Sequence, residues 1–292
     1  MRSRRRVGLV LAAATAFGAG LIAFSGSAAA AVPTCTPPTT TTNDSCVKLN
    51  VTPSNAPDAF TGGQRLFVRT RTIFENPGDC GTGGCAHTVT LDFDNDFKIN
   101  PGTIPTCSAT TAGQNSRDIA SVWAACGPGG GATKNAYLST QVAPTGFGCT
   151  ANPCVSGQAS TVPPLNINAC TLLFNGPLVN NQRTITLYAR GPETPTDCLQ
   201  NPATNHNGNT NVVLSGKLST SPLAGFGRRL TVDNIDTQSP LPLDDFYAYI
   251  KRGTYFQARC PAGTSPWRLR GLFVYSGTGQ AKDTPSSTQA CT

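Results

Sequence analysis

Three aspartates, Asp92, Asp94 and Asp96, form the sharpest acidic row in the chain. On an extended strand, alternate residues share a face at roughly 6.6–7 Å spacing. Carboxylates so placed suit three kinds of chemistry. They can hold Ca²⁺ through oxygen ligands. They can act as an acid/base pair on a sugar, where carboxyl separations of about 5–9.5 Å matter. They can also form a solvated strand face whose charges discourage edge pairing. The spacing favours the solvated face, then calcium, then catalysis. Asp233, Asp236, Asp244 and Asp245 surround the turn Ser239-Pro240-Leu241-Pro242 and offer a second calcium candidate.

Other chemistry-bearing residues are sparse. Tyr247 and Tyr249 fall on the strand face opposite Phe246, where they can stack on carbohydrate or be packed by a second sheet. Arg65, Arg69 and Arg71 form a row suited to acidic glycans, or an ordinary outer face. The two histidines, His87 and His206, have no neighbouring pattern that makes either a general base. Beyond the N-terminal region there is no Gly-x-Ser-x-Gly elbow, and no phosphate-cradling Gly-x-x-x-x-Gly-Lys occurs. The expectation is a non-catalytic protein with no obligate cofactor, calcium being the one candidate ion.

The elements that must position these residues follow from composition. The chain has 292 residues, 13% of them charged, against about 25% in an ordinary soluble domain. Gly (30) and Pro (23) are abundant, which excludes a coiled coil or helical bundle. At the N-terminus, Arg2, Arg4, Arg5 and Arg6 precede an apolar run, Val7 to Phe24, and small residues to Ala31. That order predicts a cleaved signal peptide over residues 1–31. Its removal takes four arginines and lowers the formal net charge from +7 to +3. A nucleic-acid partner is therefore not expected, since it needs a dense basic patch. No second apolar run reaches membrane-spanning length, so secretion is expected.

Twelve cysteines all follow residue 31. An even number in an exported chain predicts disulfides. Cys80 and Cys85, and Cys149 and Cys154, bracket tight turn-rich loops that suit a bridge. Neighbour pairing elsewhere gives Cys35–Cys46, Cys107–Cys126, Cys170–Cys198 and Cys260–Cys291, with connectivity open. Cys80, Cys85 and His87 lack a fourth ligand for zinc.

Residues 32–45 read as an extended, poorly packed Pro/Thr linker. From Cys46 onward apolar residues alternate. Leu66, Val68, Thr70 and Thr72 share one face opposite the arginine row. Val89, Leu91 and Phe93 alternate with Thr88, Thr90, Asp92 and Asp94. Ile185, Leu187 and Ala189 form another inward set, as do Phe246, Ala248 and Ile250. Trp267, Leu269, Gly271, Phe273 and Tyr275 repeat the pattern. Period two means half-buried antiparallel strands, about ten or eleven of them. One short helix is predicted over 116–126, capped by Ser116. The expected architecture is a disulfide-stapled, all-β antiparallel sandwich, Ig-like or jelly-roll-like, with residues 46–292 as one domain.

Several segments resemble a group of exported proteins from high-GC Gram-positive (actinobacterial) bacteria. They are Phe93-Asp94-Asn95-Asp96-Phe97, Ile104-Pro105-Thr106-Cys107, Ala124-Ala125-Cys126, Gly129–Ala132, Phe174-Asn175-Gly176, Gly225-Phe226-Gly227, Phe246–Ile250 and Phe273-Val274-Tyr275. The order, more than any one segment, carries the likeness. It implies a secreted β-rich protein with a Cys107–Cys126 bridge, and it implies no activity. Together these readings predict a secreted, non-catalytic sandwich of the envelope or extracellular space, binding a ligand, a cell-wall glycan or an envelope protein. A polysaccharide hydrolase using Asp carboxylates and a calcium-stabilised adhesin are the alternatives.

Overall fold

The computed structural model describes residues 33–37, 44–73, 85–107, 126–127, 135–139, 157–161, 168–191, 210–238, 243–261, 263, 266–276 and 282–292. It is nearly all-β, as the alternation requires. The strands are β1 (Asp44–Thr52), β2 (Arg65–Ile73), β3 (Ala86–Asp94), β4 (Phe97–Ile99), β5 (Gly157–Thr161), β6 (Asn168–Asn175), β7 (Arg183–Gly191), β8 (Thr210–Thr220), β9 (Phe226–Val232), β10 (Leu243–Ile250), β11 (Phe256–Ala258), β12 (Trp267–Tyr275), β13 (Lys282–Asp283) and β14 (Ser286–Gln289). The helical content of these residues includes a four-residue turn, α1 (Ile235–Gln238), and a single 3₁₀ turn at Pro101–Thr103. Pro101 suits the start of that turn because its missing N–H would have had no partner there. Residues 116–125 of the predicted helix lie outside the described residues.

Twelve strands form one hydrogen-bonded sheet in the order β1-β2-β10-β5-β6-β7-β8-β9-β3-β12, with β13 and β14 both on the far side of β12. Every strand pair in it is antiparallel. The sheet folds over on itself into a sandwich, so that its first strand, β1, packs against β12 and β14 at its last. Val47, Leu49 and Val51 of β1 thus join Leu66 and Val68 of β2, Phe93 of β3, and Trp267, Leu269 and Phe273 of β12 in one core. Gly271 makes the meeting possible. A Cβ there would come within 2.9 Å of a Val47 methyl and 2.8 Å of the Phe273 ring. The pair β4–β11 closes one end with Phe97 and Phe256, whose rings lie 5.3 Å apart.

The two ends of the sheet are joined by side chains. The Ser45 N–H donates to Asp283 Oδ2 at 2.7 Å, the Leu49 N–H to Ser287 Oγ at 3.2 Å, and the Val51 N–H to Gln289 Oε1 at 2.6 Å. Gln289 Nε2 returns a bond to the Val51 carbonyl at 2.8 Å. Each pair is separated by 238 residues, so the C-terminal segment runs parallel to β1. An edge strand's unpaired N–H groups are thereby satisfied without a backbone ladder.

Disulfides Cys35–Cys46, Cys107–Cys126 and Cys260–Cys291 are formed as expected, and Cys85 is also bridged. The predicted pairings that involve Cys80, Cys149, Cys154 and Cys198 reach residues outside those described, and the side chain of Cys170 is likewise not described. Cys35 is the expected anchor of the Pro/Thr segment, whose C-terminal bound needs correction. Cys35 is 5% exposed and Arg69 Nη1 donates to the Pro33 carbonyl, which anchors this segment on the sheet. Strand β1 begins at Asp44, inside the predicted linker. No helix among the described residues is long and apolar enough to cross a membrane.

Candidate functional site

Strand β3 carries the acidic row, and its partners decide what the row can do. Val89, Leu91 and Phe93 point inward as alternation demands, leaving Asp92 and Asp94 on the other face. That face is not solvated. Asp92 is fully buried and Asp94 is 4% exposed. The solvated-face expectation is therefore corrected, and the cause is arginine on the neighbouring strands. Register places Asp92 opposite Arg229 of β9. Arg229 donates through Nε to Oδ1 and through Nη2 to Oδ2, both at 2.8 Å, and Ser221 Oγ adds a third bond at 2.6 Å. The bond to Asp92 pushes the Arg229 pKa above its ordinary value. This bidentate fork is the strongest arrangement available to such a pair.

The row continues with one arginine per carboxylate. Arg268 of β12 donates through Nε to Asp94 Oδ2 at 2.9 Å and through its own N–H at 3.2 Å. Arg268 also lies over the Phe226 ring, 5.0 Å from its centroid. Asp96 lies beyond the end of β3, in the turn to β4, so its strand spacing does not hold. Its Oδ1 accepts from Arg259 Nε at 2.7 Å. The three carboxylates thus form three separate ion pairs. Among the described residues no group of three or more His, Cys, Asp or Glu is gathered as a metal site. The second acidic candidate is dispersed too. Asp245 pairs with Arg69, Asp236 with His87, and Asp233 with Lys217.

Tyr247 and Tyr249 do lie on the face opposite Phe246, but they are not exposed. They are 6% and 3% accessible and form a small outer core with Phe67 of β2, whose ring is 4.7 Å from that of Tyr249. Arg65 lies over the Tyr249 ring and Arg69 over Tyr247, at 5.7 and 5.9 Å from the centroids. Burial pushes both phenol pKa values up. The expectation of a sugar stacking on these rings is corrected: arginine and Phe67 already occupy their faces. Phe67 was the missed signal, a large apolar residue out of phase with its strand's inward set.

Two spaces remain. The first is polar, about 650 Å³, and lies beside the side-chain seam. Thr34, Thr36, Ser286 and Thr288 supply hydroxyls to it, and Lys48 and Asp283 supply charge. Its volume falls within the range of about 300–1,000 Å³ typical of ligand sites. The second is apolar, about 90 Å³ and half-open, on the inward face of the sheet. Beside it, His87 Nδ1 and Asp236 Oδ1 are 2.8 Å apart, joining β3 to α1. Sequence spacing gave no sign of the seam cleft, because its walls are 238 residues apart along the chain.

Comparison of the chain with protein-family models, curated proteins and solved structures returns no match.

Proposed function

We propose that this chain is an exported, non-catalytic binding protein of the cell envelope or extracellular space, and that the seam cleft takes wall polysaccharide. The observation that carries the reading is the pairing of Asp92, Asp94 and Asp96 with Arg229, Arg268 and Arg259. A glycosidase needs one protonated and one ionised carboxyl facing a shared space. Here each carboxylate faces its own arginine, and no two of them face a shared space. The cleft supports the binding half: hydroxyls flanked by one cation and one anion match a polyhydroxylated ligand. The disulfides support an extracellular setting.

The test is co-sedimentation of the mature chain with purified cell-wall polysaccharide, with reducing ends assayed in the supernatant. Retention without sugar release is expected, and Lys48→Ala with Ser286→Ala should abolish retention. Sugar release that is lost in Asp96→Asn would instead establish the hydrolase alternative. Retention dependent on added Ca²⁺ would favour the adhesin. No retention overturns the proposal.

A further inference from the structure

We propose that the half-open apolar hollow is a binding site for a small apolar molecule, of the size of a single aromatic ring or smaller. The hollow has a volume of about 90 Å³ and is lined by residues of β2, β3, β6, β7, β8, β9, β10 and α1. Its walls are the inward set of those strands, and among the described residues Thr70 contributes the one hydroxyl. A single water needs about 10–15 Å³ and two to four polar partners. The volume is ample for water, but the partners are missing. An apolar occupant is therefore favoured over water.

A second observation agrees. Val89, Leu187, Leu230 and Phe246 point inward on their strands yet stay only half-buried, while Leu91, Leu173 and Leu214 beside them are buried. The surface these four keep is surface that an occupant would cover. Turn α1 lies across one side of the hollow: Ile235 forms part of the wall, and the next residue, Asp236, holds His87 of β3. The inference concerns a different place from the seam cleft and stands whether or not polysaccharide is retained.

Thermal unfolding of the disulfide-intact chain in buffer saturated with benzene, and under xenon pressure, tests it. Binding to the folded state alone raises the melting temperature, here by about 2–4 °C. Leu187→Phe should fill the hollow and erase the shift. Should that variant fail to fold, Leu230→Phe, on another wall of the hollow, gives the same reading. No shift with either probe in the unaltered chain overturns the proposal. So does an equal shift in the unaltered and filled chains.

Discussion

At the scale of single residues, the acidic row defines a graded set of ion pairs. Asp92 is fully enclosed, whereas the Asp94 and Asp96 side chains keep 5% and 13% of their surface and their arginines 42% and 38%. Removing one partner of a buried pair leaves the other charge poorly solvated, a cost of about 3–5 kcal/mol. Arg229 retains 23% exposure, so part of its charge can rehydrate. We expect Asp92→Asn to destabilise by about 2–4 kcal/mol, Asp94→Asn by less, and Asp96→Asn by under about 1 kcal/mol. Denaturant unfolding of the three variants measures the order, and equal losses would show that burial does not set it. The aspartates and their face were legible in the sequence. Their arginines were not, because Arg229 and Arg268 lie 137 and 174 residues away and only register brings them alongside.

At the scale of elements, alternation located the central strands well. The inward set Trp267, Leu269, Gly271, Phe273 and Tyr275 matches β12 from end to end, since each of these residues is buried and each intervening one is not. Two positions the alternation left unremarked are informative. Asn180 and Asn181 both adopt positive φ, at 50° and 61°, and so turn β6 into β7 as a tight hairpin that asparagine tolerates. The seam was invisible for a different reason: it uses serine, glutamine and aspartate side chains in place of a strand ladder. That makes it sensitive to side-chain loss. A double variant, Ser287→Ala with Gln289→Ala, removes the acceptors of two β1 amides. Each orphaned amide costs about 1–3 kcal/mol where water cannot replace the partner. Hydrogen exchange at Leu49 and Val51 should quicken in that variant while Val68 and Leu269 keep their protection. Unchanged exchange at both β1 amides would mean that packing, not these bonds, seals the edge.

At the scale of the whole molecule, closure of the sheet encloses polar groups as well as apolar ones. The buried tyrosines matter more under alkaline conditions. Burial holds the phenols of Tyr247, Tyr249, Tyr255 and Tyr275 well above their ordinary pKa of about 10. In the unfolded chain the same groups release protons near pH 10. The folded state therefore binds more protons above that pH, and stability falls as pH rises. Below about pH 10 the contribution is fully present. Above it each sealed tyrosine removes about 1.4 kcal/mol per pH unit, so four together remove about 5 kcal/mol per unit. Tyrosinate absorbance should accordingly appear in one steep step, together with the loss of β-sheet circular dichroism, rather than along a shallow titration near pH 10. A smooth titration with the sheet signal intact would show that water reaches these hydroxyls in the folded state. It would also undo the claim that arginine and Phe67 seal the outer tyrosine face.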